Sequence, residues 1–503
     1  MKASAPAARS GAVVATLAAA GIVASLMGTL MIPLIGELPG LLHTSASSAS
    51  WVITAPLLTG AVATPVFGRL GDLYGKRRLL LICVALLVAG SLVCALTSSL
   101  IPMVAGRAVQ GIGMGIVPLG ISTMRDVVAP ERVGTAVALM SASLGIGGAL
   151  GLPLSAAVAQ NFDWHALFWG SAAVSALTGL AVARQVPYVP PAARGRFDMP
   201  GALGLAVGLV CLLLAVSKGA TWGWTSATTG GLFAAAVVVL LGWGRFELRT
   251  ADPLVDLRAT ARRRVLLTNL ASIMIGFAMF AQSLVAPQLL QLPTSLGYGL
   301  GRSMLAAGLW MMPTGLVMMA FSPLGAKLSA RSGPRTSLLT GALVVAFGYA
   351  LAPPLMGSVP GVVIFGCVVS VGVAFAYGAM PALIMASVPR SETAAANGFN
   401  ALMRSVGLSV SSAVTGVVLA RMSHDVGGHA VPTQDGFRAA VLIGGGVALA
   451  AALLTLAIPR DAPTPAGPPP AEPGASGPVH PPGHADRASG KEGPPAGPSR
   501  TTA

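Results

Sequence analysis

The chain has 503 residues, 54% of them apolar and only 9% charged, whereas soluble domains carry about 25% charged residues. So few charges cannot coat a water-facing surface of this size, which excludes an ordinary soluble protein. The net charge of +15 does not point to nucleic acid, because the basic residues gather in short segments between apolar runs, as the positive-inside rule describes.

The apolar runs predict fourteen membrane-spanning helices, at 11–33, 50–67, 79–98, 100–121, 133–158, 164–185, 199–217, 227–243, 266–292, 303–325, 336–355, 360–387, 396–420 and 437–458. Their lengths suit the roughly 20 residues that cross about 30 Å of hydrocarbon. Lys2 and Arg9 before the first run imitate a signal peptide. That run is too long for one and further spans follow, so it reads as an uncleaved first helix.

With the N-terminus placed inside, the inner segments hold 25 of the 31 Lys and Arg residues. Outer loops and span ends hold four: Lys218, Arg302, Arg421 and Arg438. Trp51, Trp164, Trp169, Trp222 and Trp224 fall near outer ends, where an aromatic belt sits. The expectation is a multi-pass protein of a bacterial inner membrane with both termini cytoplasmic. Residues 459–503 are dominated by Pro, Gly, Ala and Ser. They bury too little apolar surface to offset ordering entropy, so a disordered cytoplasmic tail is expected.

The four cysteines, Cys83, Cys94, Cys211 and Cys367, lie inside apolar runs without a CxxC pair, and the six histidines lie in loops or the tail. Neither pattern predicts a disulfide framework, a metal site or a cofactor. No GxxxxGK[ST] loop is present, so the sequence offers no ATP-driven pump.

An internal repeat organises the chain. Residues 68–78, GRLGDLYGKRR, are echoed by 326–336, AKLSARSGPRT, with Gly75 on Gly333, Leu70 on Leu328 and Arg77 on Arg335. Residues 128–140 are echoed by 388–403. The offset, near 260 residues, exceeds the roughly 190 that six helices and their loops need. An insertion carrying two helices accounts for the difference. The predicted organisation is an N-terminus at 1–10, a six-helix bundle at 11–185, a linker with two extra helices at 186–265, a second six-helix bundle at 266–458 and the tail. Parallel halves of this kind characterise one large transporter class.

Three motifs carry chemistry. In the loop after span two, Gly68 and Gly75 permit a tight turn and close approach, while Asp72 stands among Arg69, Lys76, Arg77 and Arg78. An acid there can pair with a base or cap a helix N-terminus. The bland alternative is positive-inside anchoring. In span four, Arg107 and Gln110 share a face, and an intramembrane charge is a functional-site hypothesis unless it snorkels to an interface. In span five, Gly147 and Gly151 permit close packing and Pro153 can kink the helix.

The first two motifs resemble the loop and span-four signatures of the major facilitator superfamily, and the third is similar to the glycine–proline signature of its drug–proton antiporters. In the last, Leu152 separates Gly151 from Pro153, and Ser155 and Ala156 stand where glycines are expected. The resemblance covers residues 11–458. It implies an all-α fourteen-helix fold without enzymatic activity, exporting drugs, antibiotics or secondary metabolites by alternating access with proton antiport. It also implies a gate-stabilising role for the span-two loop, a coupling role for Arg107 and a monomeric protein.

No acid sits at the centre of an apolar run. The related fourteen-span exporters often carry an Asp in span one, and none is present here. Glu37, Asp72 and Asp126 are therefore the carboxyls available to couple protons, Glu37 first. For a central cavity that takes a small amphipathic substrate, the polar and aromatic candidates include Thr29, Thr54, Gln282, Gln288, Trp310, Tyr377, Asn400 and Arg404. Two alternatives remain: an importer or uncoupled facilitator of the same fold, and a non-transporting membrane scaffold.

Overall fold

The computed structural model describes residues 7–459, apart from 32–33, 35–36, 192 and 427–428. Among the described residues, fourteen helices are long and apolar enough to cross a membrane. In chain order they are α1 (Ala7–Thr29), α2 (Trp51–Tyr74), α3 (Lys76–Ala95), α4 (Leu100–Val127), α5 (Pro130–Asn161), α6 (His165–Gln185) and α7 (Met199–Trp222). There follow α8 (Ala227–Glu247), α9 (Arg263–Gln291), α10 (Met304–Ser332), α11 (Pro334–Leu355), α12 (Val359–Met385), α13 (Thr393–Arg421) and α14 (Gln434–Leu456). A 3₁₀ turn at Gly113–Gly115 interrupts α4. The tail from 460 onward lies outside the described residues.

The helices outlast their apolar runs at the face that carries most of the basic residues, called the basic face below. α2 reaches Tyr74 rather than 67, α4 reaches Val127 rather than 121, and α10 reaches Ser332 rather than 325. Hydropathy stops at Arg69, Arg125 and Lys327, but backbone hydrogen bonding does not depend on hydropathy and continues past them. What ends α2 and α10 is a glycine with positive φ, Gly75 at +99° and Gly333 at +83°, a conformation costly for any residue with a Cβ. α1 behaves oppositely and stops at Thr29, short of the expected 33. The sequence reading also missed the antiparallel hairpin between α13 and α14, formed by β1 (Ser423–Val426) and β2 (His429–Pro432).

The two six-helix groups repeat one packing scheme. In the first, α1 packs on α5, α2 on α4, and α3 on α4 and α6; in the second, α9 packs on α13, α10 on α12, and α11 on α12 and α14. Each group has its own apolar core, one around Leu17, Leu80 and Phe168, the other around Tyr349, Phe365 and Phe437. The groups meet along two seams, α5 against α10 and α2 against α13. The two further helices differ sharply. α7 lies against α2 and α13, while α8 packs chiefly on α7 and keeps most of its surface exposed.

The repeat survives down to single hydrogen bonds. Arg77, at the start of α3, donates from Nη2 to the Ala183 carbonyl in the last turn of α6, at 2.6 Å. Arg335, at the start of α11, donates to the Leu456 and Thr455 carbonyls at the end of α14, at 2.7 and 3.2 Å. In both halves a cation binds carbonyls of a helix's last turn, at the negative end of its dipole. Arg77→Ala and Arg335→Ala should each cost about 1 kcal/mol of stability, allowing for partial exposure. The double variant should lose the sum, because the sites lie in separate bundles. Thermal melts of the purified variants check this, and a loss confined to one site would break the equivalence.

Candidate functional site

The densest polar linkage between the two halves lies at the basic face. Asp72, in the last turn of α2, is 2% exposed. Its Oδ2 accepts from the backbone N–H groups of Ala394 at 3.0 Å and Ala395 at 2.9 Å, and Oδ1 accepts from Ala394 at 3.3 Å. These amides belong to the first turn of α13, where N–H groups have no intrahelical partner and the dipole is positive. A carboxylate accepting such bonds contributes about 1.5–3 kcal/mol per bond.

The approach is possible because position 68 has no side chain. A Cβ on Gly68 would lie 2.8 Å from the Ala394 carbonyl carbon, and one on Gly398 would lie 3.0 Å from Cα of Pro65. Lys76 donates to Asp126 Oδ2 at 2.5 Å and lies 3.7 Å from Asp72 Oδ1. Arg125, beside Asp126, donates to Thr393 Oγ1 at 2.5 Å. Of the span-two motif, Gly68, Asp72, Gly75 and Lys76 thus build the linkage; Arg77 caps α6, and Arg78 is exposed. A cavity of about 420 Å³ opens beside it, lined among others by Arg69, Arg194, Asp252, Asp256, Asn269 and Glu392.

The corresponding place on the other seam is different. Ala330 stands where the repeat would put the acid, and α5 is met instead by Ser322 of α10, whose hydroxyl donates to the Ala138 carbonyl at 2.6 Å. Further along, α5 shows two faces. Gly147 and Gly151 receive α1, at Ile22, Leu26 and Thr29, whereas Gly145, Ala149 and Pro153 receive Gly315 and Gly308 of α10. The glycines singled out from sequence therefore serve packing within one half, and Pro153 lies on the seam between halves.

Arg107 is 1% exposed and binds helices together. Its Nε donates to Val52 of α2 at 3.0 Å, and its Nη1 to Met27 of α1 at 2.8 Å and to Gln110 Oε1 at 2.7 Å. Gln110 passes the chain on to Ser91 of α3 at 2.8 Å. Both carbonyls are free for structural reasons. Pro56 stands four residues after Val52 and has no N–H to offer, and Met27 lies in the last turn of α1. No carboxylate touches Arg107 among the described residues. Of the other coupling candidates, Asp126 is engaged with Lys76 and Glu37 sits exposed in a turn at the opposite face.

The cavity candidates do not form one constellation. Thr29 sits against Gly151 in the α1–α5 contact, Thr54 turns back on Ser50, and Gln288 and Trp310 are exposed. Four lie on α9, α12 and α13. Asn400 donates to Asn269 and Ser272 at 2.8 and 2.7 Å, and Gln282 to the Gly366 carbonyl at 3.2 Å. Tyr377 donates to Met279 Sδ at 3.0 Å, and the Arg404 guanidinium lies 4.8 Å from the Tyr377 ring centre. No group of His, Cys, Asp and Glu among the described residues could hold a metal. Sequence reasoning missed Thr393, Gly398, Gly308 and Ser322, whose partners lie far away in the chain and leave no local pattern.

Two equivalent six-helix halves, joined along two seams and linked by charge at one face, define a multi-pass membrane carrier. The chain belongs to the Major Facilitator Superfamily, which matches residues 17–412 and again 268–492; it is a transporter and not an enzyme. It is 23% identical over 373 residues to "Multidrug resistance protein 3" of Bacillus subtilis (strain 168), covering 73% of this chain and 72% of that one. It is 28% identical over 375 residues to "Multidrug resistance protein Stp" of Mycobacterium tuberculosis (strain CDC 1551 / Oshkosh), covering 74% and 68%.

Among solved structures the fold is similar to that of the human organic anion transporter MFSD10, with a TM-score of 0.64 at 16% identity, covering 89% of this chain and 99% of that one. It is also similar to the proton:xylose symporter XylE, with a TM-score of 0.61 at 13% identity, covering 90% and 97%.

Replacing Asp72 with Asn keeps the shape of the link but removes its charge. Spin labels at the exposed positions 78 and 390 should report a longer and broader distance distribution in Asp72→Asn. A loss of about 1–3 kcal/mol corresponds to a 5- to 150-fold shift of a two-state equilibrium. An unchanged distribution would show that the acid does not hold the halves together.

Proposed function

We propose that the chain exports small amphipathic molecules across a bacterial inner membrane by alternating access, coupled to proton entry, with the basic face in the cytoplasm. The observation that carries this is Asp72 of one half seated on the first turn of α13 in the other. The charged hydrogen bonds between the halves gather at that face: Asp72 with Ala394 and Ala395, and Arg125 with Thr393. A carrier that is shut on one side by a few strong directional bonds can open there once they are released, while rigid halves rock about a fixed site.

Two further points support export. Relatives in two bacterial genera carry the name multidrug resistance protein. The cation excess of the basic face fits a cytoplasmic surface under the positive-inside rule. Within this reading the proton acts at the latch. Neutralising Asp72 weakens its hold on the α13 dipole and on Lys76 together, so proton binding and gate opening become one event.

The absence of any acid from the middle of a span favours one rival, a facilitator that needs no proton. Inverted membrane vesicles carrying the protein, tested with a panel of fluorescent amphipathic dyes under an imposed pH gradient, separate the two. Under the proposal a transported dye stops accumulating when the gradient is collapsed. Protein-dependent equilibration of the dye, without accumulation and at a rate that ignores the gradient, would establish the facilitator instead. Orientation has its own check: a cysteine placed at Arg78 should be labelled by a membrane-impermeant maleimide in inverted vesicles and not in intact cells.

A further inference from the structure

We infer that the transported substrate carries an anionic group, and that Arg404 is the residue that receives it. The inference rests on the transport reading and names its substrate class. Arg404 lies eleven residues into the 29-residue helix α13, about 16 Å from its start at 1.5 Å per residue. That places it in the body of the span, whereas long cations snorkel from positions near helix ends. Gly276 of α9 makes room for its stem, since a Cβ there would lie 3.1 Å from Arg404 Cγ. The guanidinium then rests on the Tyr377 ring of α12 at 4.8 Å.

What distinguishes Arg404 is what it lacks. Arg107, the other intramembrane arginine, is closed off and held by three acceptors. Arg404 keeps part of its surface accessible, and no carboxylate among the described residues ion-pairs with it. Around it the Asn400 amide nitrogen is given to Asn269 and Ser272, and the Tyr377 hydroxyl to Met279. The planar fork of five N–H donors therefore remains for something that is not protein, and its geometry suits a carboxylate, sulfonate or phosphate.

Charge balance points the same way. A lone cation at this depth costs about 2.5–3.5 kcal/mol or more, and an anionic substrate is the counter-ion that offsets it. The described acids sit at helix ends and in loops, Asp72, Asp126, Asp198, Glu247 and Glu392 among them. Two arginines and no acid leave the interior positive, which repels cations as well as attracting anions. Arg404 also shares its helix with Ala394 and Ala395, so a ligand pulling on it acts on the element that Asp72 clamps.

The test uses one aromatic body with three heads: 2-naphthoate, 2-naphthalenemethanol and 2-naphthylmethylammonium. Binding to the purified full chain is read from ligand-dependent thermal shifts. Wild type should bind the naphthoate at least about tenfold tighter than the ammonium. Arg404→Gln should lose at least tenfold for the naphthoate alone, and Arg404→Lys should keep part of the preference. The alcohol, bound alike by all three proteins, controls for folding. Tighter binding of the ammonium, no binding of naphthoate at millimolar concentration, or naphthoate affinity unchanged in Arg404→Gln would each overturn the inference. Preference for the naphthoate in binding, without flux of any of the three in vesicles, would uphold the anion site and count against the transport reading alone.

Discussion

A polar group in the hydrocarbon layer has no water to fall back on, so each must find its partner inside the protein. That constraint explains the N-terminal half more fully than any of its apolar contacts. Pro56 gives α2 its local shape but deprives the Val52 carbonyl of a donor. The early end of α1 does the same to Met27. Either carbonyl left alone would cost a few kcal/mol. Arg107 answers both with one side chain, and Gln110 carries the link on to Ser91 of α3. A guanidinium too expensive to bury by itself thereby becomes the pin through four helices of one half.

The same bookkeeping, applied across the repeat, shows where the halves stop being equivalent. Arg77 and Arg335 occupy matching places and do matching work on α6 and α14. Asp72 and Ala330 occupy matching places and do not. One seam is therefore closed by an anion on a helix N-terminus, a bond that depends on charge and direction. The other is closed by a hydroxyl–carbonyl contact and by small residues fitted against Gly308 and Gly315. A single protonation or displacement can act on the first seam. The second has no charged group to act on among the described residues, and holds through the Ser322 hydroxyl and through packing.

Much of this was legible in the sequence, for identifiable reasons. Fourteen spans follow from hydropathy, because the length needed to cross a bilayer is fixed by the bilayer. The glycine–acid–base spacing at 68–78 was conspicuous because its turn and its acid are local features, but that Arg77 and Arg78 stand apart from the linkage was not. Arg107 was found because a charge in a span is conspicuous, yet its task was not, since the free carbonyls of Val52 and Met27 belong to other helices. Gly147 and Gly151 were recognised as packing residues, but which neighbour each faces is a matter of helix rotation, to which composition is blind. Arg404 was visible as an anomaly, and only its surroundings could say that no acid accompanies it.

The two added helices follow from the same distinction between directional and apolar contact. α7 lies over the α2–α13 seam with Leu205, Leu209 and Leu213 buried among Leu58, Ala61 and Leu402. With α2 it has directional ties. Lys218 hydrogen-bonds to Ser50 and stacks over Trp51 at 4.7 Å, at the end of α2 remote from the latch. With α13 its contact is through apolar side chains such as Leu402 and Val406. Apolar contact is non-directional and depends on area more than on register, so it can persist while one helix slides along another. An insertion placed over that seam is therefore compatible with the proposed movement: fixed to one half by a cation, and greased against the other.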